Sequence, residues 1–135
     1  MKLKSNLILE WPFLNSNKVQ IKRNNINYNV NLREGIDLGI FLGIKNEESI
    51  SNINKITNIN EKKTIIDIGA NIGSVSLPLA KMFKNSTIIS IEPTVYAFSK
   101  LKKNISLNPN LKSRISLHNI FISNKNKIIR EVHSS

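Results

Sequence analysis

The chain of 135 residues contains no cysteine, and aromatic residues make up only 6% of it. Disulfide bonds are therefore excluded, and thiols give no indication of the redox compartment. No apolar run approaches the roughly 18–20 residues that a membrane-spanning helix needs. The apolar run Leu7–Leu9 near the N-terminus is too short for the core of a signal peptide. These absences predict a cytoplasmic protein with no membrane partner.

Histidine and glycine are also scarce. The only histidines, His118 and His133, are separated and lack a partner at metal-site spacing, so no metal is expected. Three of the five glycines, Gly35, Gly39 and Gly43, lie four residues apart in an apolar stretch. In water this spacing predicts irregular backbone or close packing rather than a membrane dimer motif.

Positive charge is in excess, with 20 Lys and Arg against 9 Asp and Glu and a formal net charge of +11. Such a charge is typical of proteins that bind phosphate backbones. The lysines are scattered, however, and aromatic residues do not alternate with them as on a base-stacking surface. Asn, Ile and Lys are over-used together, as in AT-rich coding sequences. We therefore interpret the charge as compositional and expect no nucleic-acid partner.

The first 60 residues carry weak structural patterns. Val19–Ile21 and Ile26–Leu32 read as two short strands separated by a polar turn. From Glu47 to Ile59, isoleucines at helical spacing follow acidic residues in the first turn, which predicts a helix. The length allows one domain. We interpret residues 1–60 as the lead-in of that domain and residues 61–135 as its main part.

A strand, a glycine turn and a helix follow one another in the main part. Thr64–Ile68 is rich in β-branched residues, which is typical of a strand buried on both faces of a parallel sheet. Gly69 and Gly73 mark a turn, and the apolar pattern of Val75–Phe83 predicts a helix. Because a glycine turn lets backbone approach a ligand and the helix start presents free N–H groups, this unit suits a nucleotide-like cofactor.

A second strand ends in a carboxylate. Thr87–Ile91 is again rich in β-branched residues, and Glu92-Pro93 follows about 20 residues after the glycine turn, where a ribose-binding acid is expected. The turn reads G-x-x-x-G and not the G-x-G-x-x-G of nicotinamide enzymes. It therefore favours a cofactor with ribose and adenine but no pyrophosphate, such as S-adenosylmethionine. A third strand is predicted over Ile115–Ile122, and a short fourth over 128–132.

The string Asp67-Ile-Gly-Ala-Asn-Ile-Gly73, followed by Ile91-Glu92-Pro93 and by Asn104, resembles the FkbM family of class I S-adenosylmethionine-dependent methyltransferases. The resemblance runs from about residue 30 to residue 127. It implies an α/β, Rossmann-like sheet with S-adenosylmethionine as cofactor, and O-methylation of a sugar or other small molecule. The family's sheet has about four more strands, so the chain resembles its cofactor-binding half, truncated after the third core strand. Catalytic residues are then expected beyond Ser135.

Six residues are the candidates for cofactor binding, and several have plainer interpretations. The set is Asp67, Gly69, Ala70, Asn71, Gly73 and Glu92. Asp67 can instead cap the helix start, and Asn71 can serve only because it tolerates left-handed backbone. Glu92 can be a solvated residue at a strand end, but its place beside the turn favours two hydrogen bonds to ribose hydroxyls.

The residues after Glu92 are expected to be structural. Tyr96, Phe98 and Leu101 lie on the next predicted helix and should pack in the core, while Asn104 should satisfy backbone groups at the helix end. The third strand ends at Ile120-Phe121, where many class I methyltransferases carry an acid. Adenine would then be held by backbone groups and apolar contacts.

Two alternatives to an active methyltransferase stay open from the sequence. The chain can be a non-catalytic or vestigial cofactor-binding fragment, or, with less support, a basic nucleic-acid-binding module. If strand Thr64–Ile68 lies at an edge, Ile65, Ile66 and Ile68 become exposed beside unpaired backbone groups. We then expect self-association through that edge.

Overall fold

The computed structural model describes residues 17–44, 50, 52–53 and 57–124. The predicted strand at 128–132, His133 and much of the predicted helix at 47–59 lie outside these residues. Of that helix, residues 50, 52 and 53 are described and are helical. The elements are β1 Lys18–Arg23, β2 Ile26–Asn31, α1 Gly35–Leu42, β3 Thr64–Ile68, α2 Ser76–Met82, β4 Thr87–Ile91, α3 Val95–Ser106, α4 Pro109–Lys112 and β5 Ile115–His118. None of the helices in this part of the chain is long and apolar enough to cross a membrane.

Strands β1 and β2 form the predicted antiparallel hairpin. Its turn residues Asn24 and Asn25 both have positive φ, 46° and 61°, as a two-residue hairpin turn requires. Asparagine adopts this conformation more readily than most residues, which explains its use here. Alternate residues of β2, beginning with Ile26, are buried, so the hairpin packs one face on the core and turns a polar face outward.

The glycines at 35, 39 and 43 belong to a regular helix, so the expectation of irregular backbone is wrong. Gly35 begins α1, Gly39 is its only interior glycine, and Gly43 ends it in the left-handed conformation with φ 73°. The N–H of Gly43 donates to the Ile40 carbonyl, and that of Ile44 to the Gly39 carbonyl, which closes the helix end. An interior glycine costs a helix about 1 kcal/mol, and burial of Ile40 offsets this.

Strands β3, β4 and β5 lie in that spatial order, and their pairing is parallel, as predicted. β5 ends at His118, four residues earlier than expected. The prediction that β3 is buried on both faces is wrong, because Ile66 and Ile68 are 57% and 66% exposed. Ile65 is only partly exposed and packs on the core, so it does not join the exposed residues as expected. In the described residues β3 pairs with β4 alone.

The core lies between the other face of this sheet, the helices and the hairpin. Its largest fully buried apolar side chains are Phe83, Ile26, Ile72, Leu77, Ile88, Leu101, Ile105 and Val30. Pro78 is the third residue of α2, where its missing N–H removes no essential helix bond. The helix therefore starts later than predicted, at Ser76.

Side chains occupy the free backbone edge of β2. The N–H groups of Asn27, Asn29 and Asn31 donate to side-chain oxygens at 2.9, 2.7 and 2.6 Å. The acceptors, in that order, belong to Asn108, Asn104 and Asp37. Asn104, predicted to satisfy backbone at the end of its own helix, is fully buried and also donates to the Ile72 carbonyl at 2.9 Å. It therefore joins the hairpin to the glycine turn.

Candidate functional site

The glycine turn is anchored to the carboxyl end of β4. The N–H groups of Gly69 and Ala70 both donate to the Ile91 carbonyl at 2.9 Å. Asn71 has φ 47°, the left-handed backbone predicted for it, and its N–H donates to Glu92 Oε2 at 2.9 Å. Two of the predicted site residues, Asn71 and Glu92, are therefore in direct contact.

The two glycines of the turn meet different surroundings. Both have positive φ, 80° at Gly69 and 90° at Gly73, which a side chain would strain. A Cβ on Gly69 would meet no atom within 4 Å, so this backbone borders open space. A Cβ on Gly73 would lie 3.0 Å from Leu101 Cδ1 and 3.3 Å from Leu77 Cδ1. The close approach at Gly73 is therefore to the protein's own helices.

Glu92 is a buried carboxylate, only 5% exposed, so its interpretation as a solvated strand-end residue is wrong. Its Oε1 accepts hydrogen bonds from the Thr94 N–H at 3.0 Å and from Thr94 Oγ1 at 2.7 Å. Its Oε2 accepts from Asn71, which leaves this oxygen capacity for a further donor. Sequence reasoning missed Thr94, whose role depends on a local turn that has no periodic signal.

Asp67 lies on β3 and reaches the start of α2. Its Oδ2 accepts a hydrogen bond from Ser76 Oγ at 2.5 Å, and that hydroxyl also lies 2.7 Å from Ser90 Oγ. Burial raises the pKa of Asp67, hydrogen bonds from the Ser76 hydroxyl and N–H lower it, and the charge of Glu92 raises it, with a net rise. The helix-cap interpretation of Asp67 is therefore correct in part.

The two serines were not among the predicted site residues. Ser76 and Ser90 are fully buried, and a single serine in an apolar run gives no signal by itself. Ser90 pairs with Asp67 in the parallel ladder. Aligning the two predicted strands residue by residue would have placed this serine beside the acid.

The end of β5 adjoins Glu92 through Asn119. The side-chain amide of Asn119 donates to the carbonyls of Glu92 and Pro93 at 2.7 and 3.0 Å. The apolar residues that follow, Ile120, Phe121 and Ile122, are each about half exposed. Apolar surface is thus present after β5, and its use for adenine stays a prediction.

Helix α3 differs from expectation at Tyr96. Phe98 and Leu101 pack in the core as predicted, but Tyr96 is 49% exposed, and its hydroxyl donates to Glu34 Oε1 at 2.5 Å. Lys100 binds Glu34 at 2.7 Å and the buried Asp37 at 2.6 Å. Burial lowers the pKa of Lys100, but the two carboxylates raise it more, so it stays charged. The hydrogen bond to Glu34 holds the Tyr96 hydroxyl at the surface rather than in the core.

His118 lies at the end of β5, where its Nε2 is 2.9 Å from Ser116 Oγ. No group of three His, Cys, Asp or Glu that could hold a metal ion occurs among the residues that the structure describes. The predicted absence of a metal stays a prediction.

Comparison with known protein families gives a match for this chain. Residues 41–124 match the model of the family described as ribosomal RNA adenine dimethylase. The FkbM family is not among these matches, and no curated protein matches the chain.

Three solved structures illustrate the similarity of fold. A Pyrococcus horikoshii protein described as a transferase has 24% identity and a TM-score of 0.58 over 78% of this chain and 37% of its own. TYW2 of P. horikoshii, in complex with MeSAdo, has 25% identity and a TM-score of 0.55 over 78% and 36%. TYW2 of M. jannaschii, in complex with AdoMet, has 21% identity and a TM-score of 0.54 over 78% and 44%.

The chain spans 36–44% of the length of these structures. Their likeness confirms the predicted Rossmann-like methyltransferase fold. Because the family match covers more than half of the 135 residues, the chain belongs to the ribosomal RNA adenine dimethylase family, a family of S-adenosylmethionine-dependent methyltransferases.

Proposed function

We propose that this chain is the cofactor-binding part of an S-adenosylmethionine-dependent methyltransferase that acts on RNA. The observation that carries the proposal is the joined pair formed by the glycine turn and Glu92, in which the Asn71 N–H binds the buried carboxylate at 2.9 Å. In open α/β sheets, ligands bind at the carboxyl ends of the strands, which is where this pair lies. The domain division is part of the proposal, with residues 1–60 as lead-in and 61–135 as the cofactor-binding part.

The residues at this edge fit the cofactor by their chemistry. Gly69 borders open space. Because glycine has no side chain to fill this space, a ligand can approach the backbone there. The spare capacity of Glu92 Oε2 suits a ribose hydroxyl, while Oε1 is held by Thr94. The carboxylate of Asp67, fixed by Ser76, suits a cationic amino group. Ala70, Asn71 and Gly73 shape the turn, and Gly73 does so by admitting Leu101.

The cofactor, when bound, supplies a methyl group that is already activated by its sulfonium. The chain's own residues then bind and orient it rather than exchange protons with it. Burial and three hydrogen bonds fix the Glu92 carboxylate before a ligand binds. Binding therefore costs little conformational entropy at this side chain.

Two observations favour RNA as the methyl acceptor. The family match is to a ribosomal RNA adenine dimethylase, and the formal net charge of +11 suits a phosphate backbone. From the sequence alone, over-use of lysine explains the positive charge, and no nucleic-acid partner is expected. The present proposal departs from that interpretation. O-methylation of a sugar or other small molecule is the second candidate, because the Asp67–Gly73 motif joined to Glu92-Pro93 resembles the FkbM family.

The cofactor proposal is tested by Glu92→Gln, with S-adenosylmethionine affinity measured by calorimetry. The amide keeps the shape but loses the charge, so we expect affinity to fall by about 1.5–3 kcal/mol. Glu61→Gln is the matched control, since the side chain of Glu61 is 60% exposed and its carboxylate forms a surface ion pair with Lys63. Equal affinity in wild type and Glu92→Gln, with both folded by circular dichroism, would remove Glu92 from the site.

Because the proposal makes this chain the cofactor-binding part of a longer enzyme, the acceptor is tested on that longer enzyme, by transfer of a labelled methyl group to ribosomal RNA and, in parallel, to a set of free sugars. Label in RNA alone supports the first candidate, and label in sugar alone supports the second. Cofactor binding without transfer to either would favour a non-catalytic cofactor-binding fragment.

A further inference from the structure

A cavity of about 170 Å³ lies between the hairpin and α3, and none of its lining residues belongs to the glycine turn or to the ends of β3, β4 or β5. Its lining residues are Lys18, Asn29, Asn31, Tyr96, Ser99, Lys100 and Lys103. Every one of them carries a hydrogen-bond donor, and none carries a carboxylate. These donors can bind the oxygen atoms of an anionic ligand.

The hairpin side of this cavity continues along the whole outer face of β1 and β2. In the antiparallel register Lys18 pairs with Asn31 and Lys22 with Asn27, so these side chains share one face. Asn29 lies between the two asparagines on the same face. The buried residues of β2, from Ile26 to Val30, occupy the opposite face. The outer face is therefore polar from end to end.

The α3 side is a single helical stripe. Tyr96, Ser99, Lys100 and Lys103 are spaced three and four residues apart, which places them on one face of the helix. The helix runs beside β2, because Asn104 contacts Asn29 and the amide of Asn27 donates to the Leu107 carbonyl. We call the surface formed by this stripe and the outer hairpin face, with the cavity between them, the hairpin–α3 groove.

Positive charge prevails in the hairpin–α3 groove. The carboxylates beside it, Glu34 and Asp37, both bind the same lysine, Lys100. Lys22 and Lys103 are exposed at separate points along the groove and add charge there. Lysine binds phosphate as a point charge, and asparagine and hydroxyl groups donate to phosphate and sugar oxygens. The ring of Tyr96 is half exposed, and Lys100 Nζ lies over it at 5.5 Å from the ring centroid.

We propose that the hairpin–α3 groove binds the phosphodiester backbone of the RNA acceptor. The inference rests on the proposed function and adds to it a binding surface on the lead-in hairpin. The lysines and the hydrogen-bond donors that line it favour the phosphate backbone of RNA as the occupant.

The test uses the full chain and a fluorescein-labelled 12-nucleotide RNA, with binding followed by fluorescence anisotropy over a range of salt concentrations. The groove variants are Lys103→Glu and Lys22→Glu. The controls are Lys62→Glu and Lys84→Glu, which make the same charge change at exposed positions just before β3 and β4. Lys103→Gln is added as a milder change in case the glutamate disturbs α3.

We expect each groove variant to weaken RNA binding about tenfold at low salt and each control less than about twofold. The slope of log affinity against log salt should fall by about 0.7 for each phosphate of the single strand that a variant no longer neutralises. An equal loss of affinity in all four glutamate variants would show a general charge effect and would overturn the proposal, as would unchanged affinity in the groove variants.

Cofactor affinity, measured on the same variants, separates this proposal from the one on which it rests. The groove variants should bind S-adenosylmethionine as wild type does. If wild type binds no S-adenosylmethionine while the groove lysines still govern RNA binding, the proposed function fails and the groove stands.

Discussion

In the part of the chain that the structure describes, β2 and β3 each have one backbone edge that pairs with no other strand. The surroundings of these two edges differ. Along β2, three buried side chains, those of Asn104, Asn108 and Asp37, accept the outward N–H groups. Along β3, the described residues place no strand beside the free edge, and Ile66 and Ile68 are more than half exposed. Within the described residues, side chains satisfy the first edge, and no strand pairs with the second.

The difference separates two ways in which a strand can be stabilised. Polar side chains at alternate positions can replace a neighbouring strand for hydrogen bonding, and they also block strand addition. Such polar side chains cannot bury the apolar face of a strand, because an apolar face is removed from water only by another apolar surface. We therefore expect the hairpin to depend on single hydrogen bonds, and β3 to depend on what covers its isoleucines.

The largest effect is expected from Asn104→Ala at the satisfied edge. This change removes the acceptor of the Asn29 N–H and the donor to the buried Ile72 carbonyl. Because each unsatisfied buried group costs about 1–3 kcal/mol, the free energy of unfolding should fall by about 3 kcal/mol. Urea unfolding followed by circular dichroism measures it.

Asn85→Ala is the control, since Asn85 is exposed and its side-chain amide donates to the Asn60 carbonyl. It should cost less than about 1 kcal/mol. A loss of stability at Asn104 no larger than that at Asn85 would mean that the closed edge adds nothing to stability.

A middle-sized effect is expected at the open side of β3. Ile68→Lys places a charge on the exposed face, and burial of an isoleucine is worth about 1.5–3 kcal/mol, so the dissociation constant of any self-associated form should rise at least about tenfold. Sedimentation velocity measures this constant. Leu42→Lys, a change at an exposed leucine of α1, should leave it unchanged. Wild type that stays monomeric at high concentration would refute the predicted self-association.

The smallest effect is expected at Asp67, the acid between the two exposed isoleucines. The pKa of Asp67 is raised in the folded chain. The contribution of Asp67 to the free energy of unfolding is therefore most favourable below its ordinary pKa of 3.8, and this advantage is lost as the pH rises through the pKa of the folded chain. Asp67→Asn does not titrate and can still accept from Ser76. Thermal unfolding should show the variant more stable than wild type at neutral pH, with the difference vanishing in acid. A destabilised variant at neutral pH would contradict this interpretation of the raised pKa.

The sequence predicted the parts of the fold that depend on local pattern. Runs of β-branched residues located β3, β4 and β5, and the paired asparagines located the hairpin turn. It failed at α1, where glycine spacing conceals a regular helix, and at β3, where composition cannot show which faces will be covered. Glu92 contacts Asn71, and Tyr96 contacts Glu34, across 21 and 62 residues of sequence. No local sequence pattern predicts contacts between residues so far apart.

The asparagine contacts along β2 also set an order of events during synthesis. The acceptors of the Asn27 and Asn29 N–H groups lie 81 and 75 residues later in the chain. An isolated two-stranded hairpin is marginally stable in water. While the ribosome is still translating, β1 and β2 can meet, but their outer edge stays hydrated until Asn104 and Asn108 have left the exit tunnel. The outer edge of β2 is therefore satisfied only after α3 and the residues that follow it have been made.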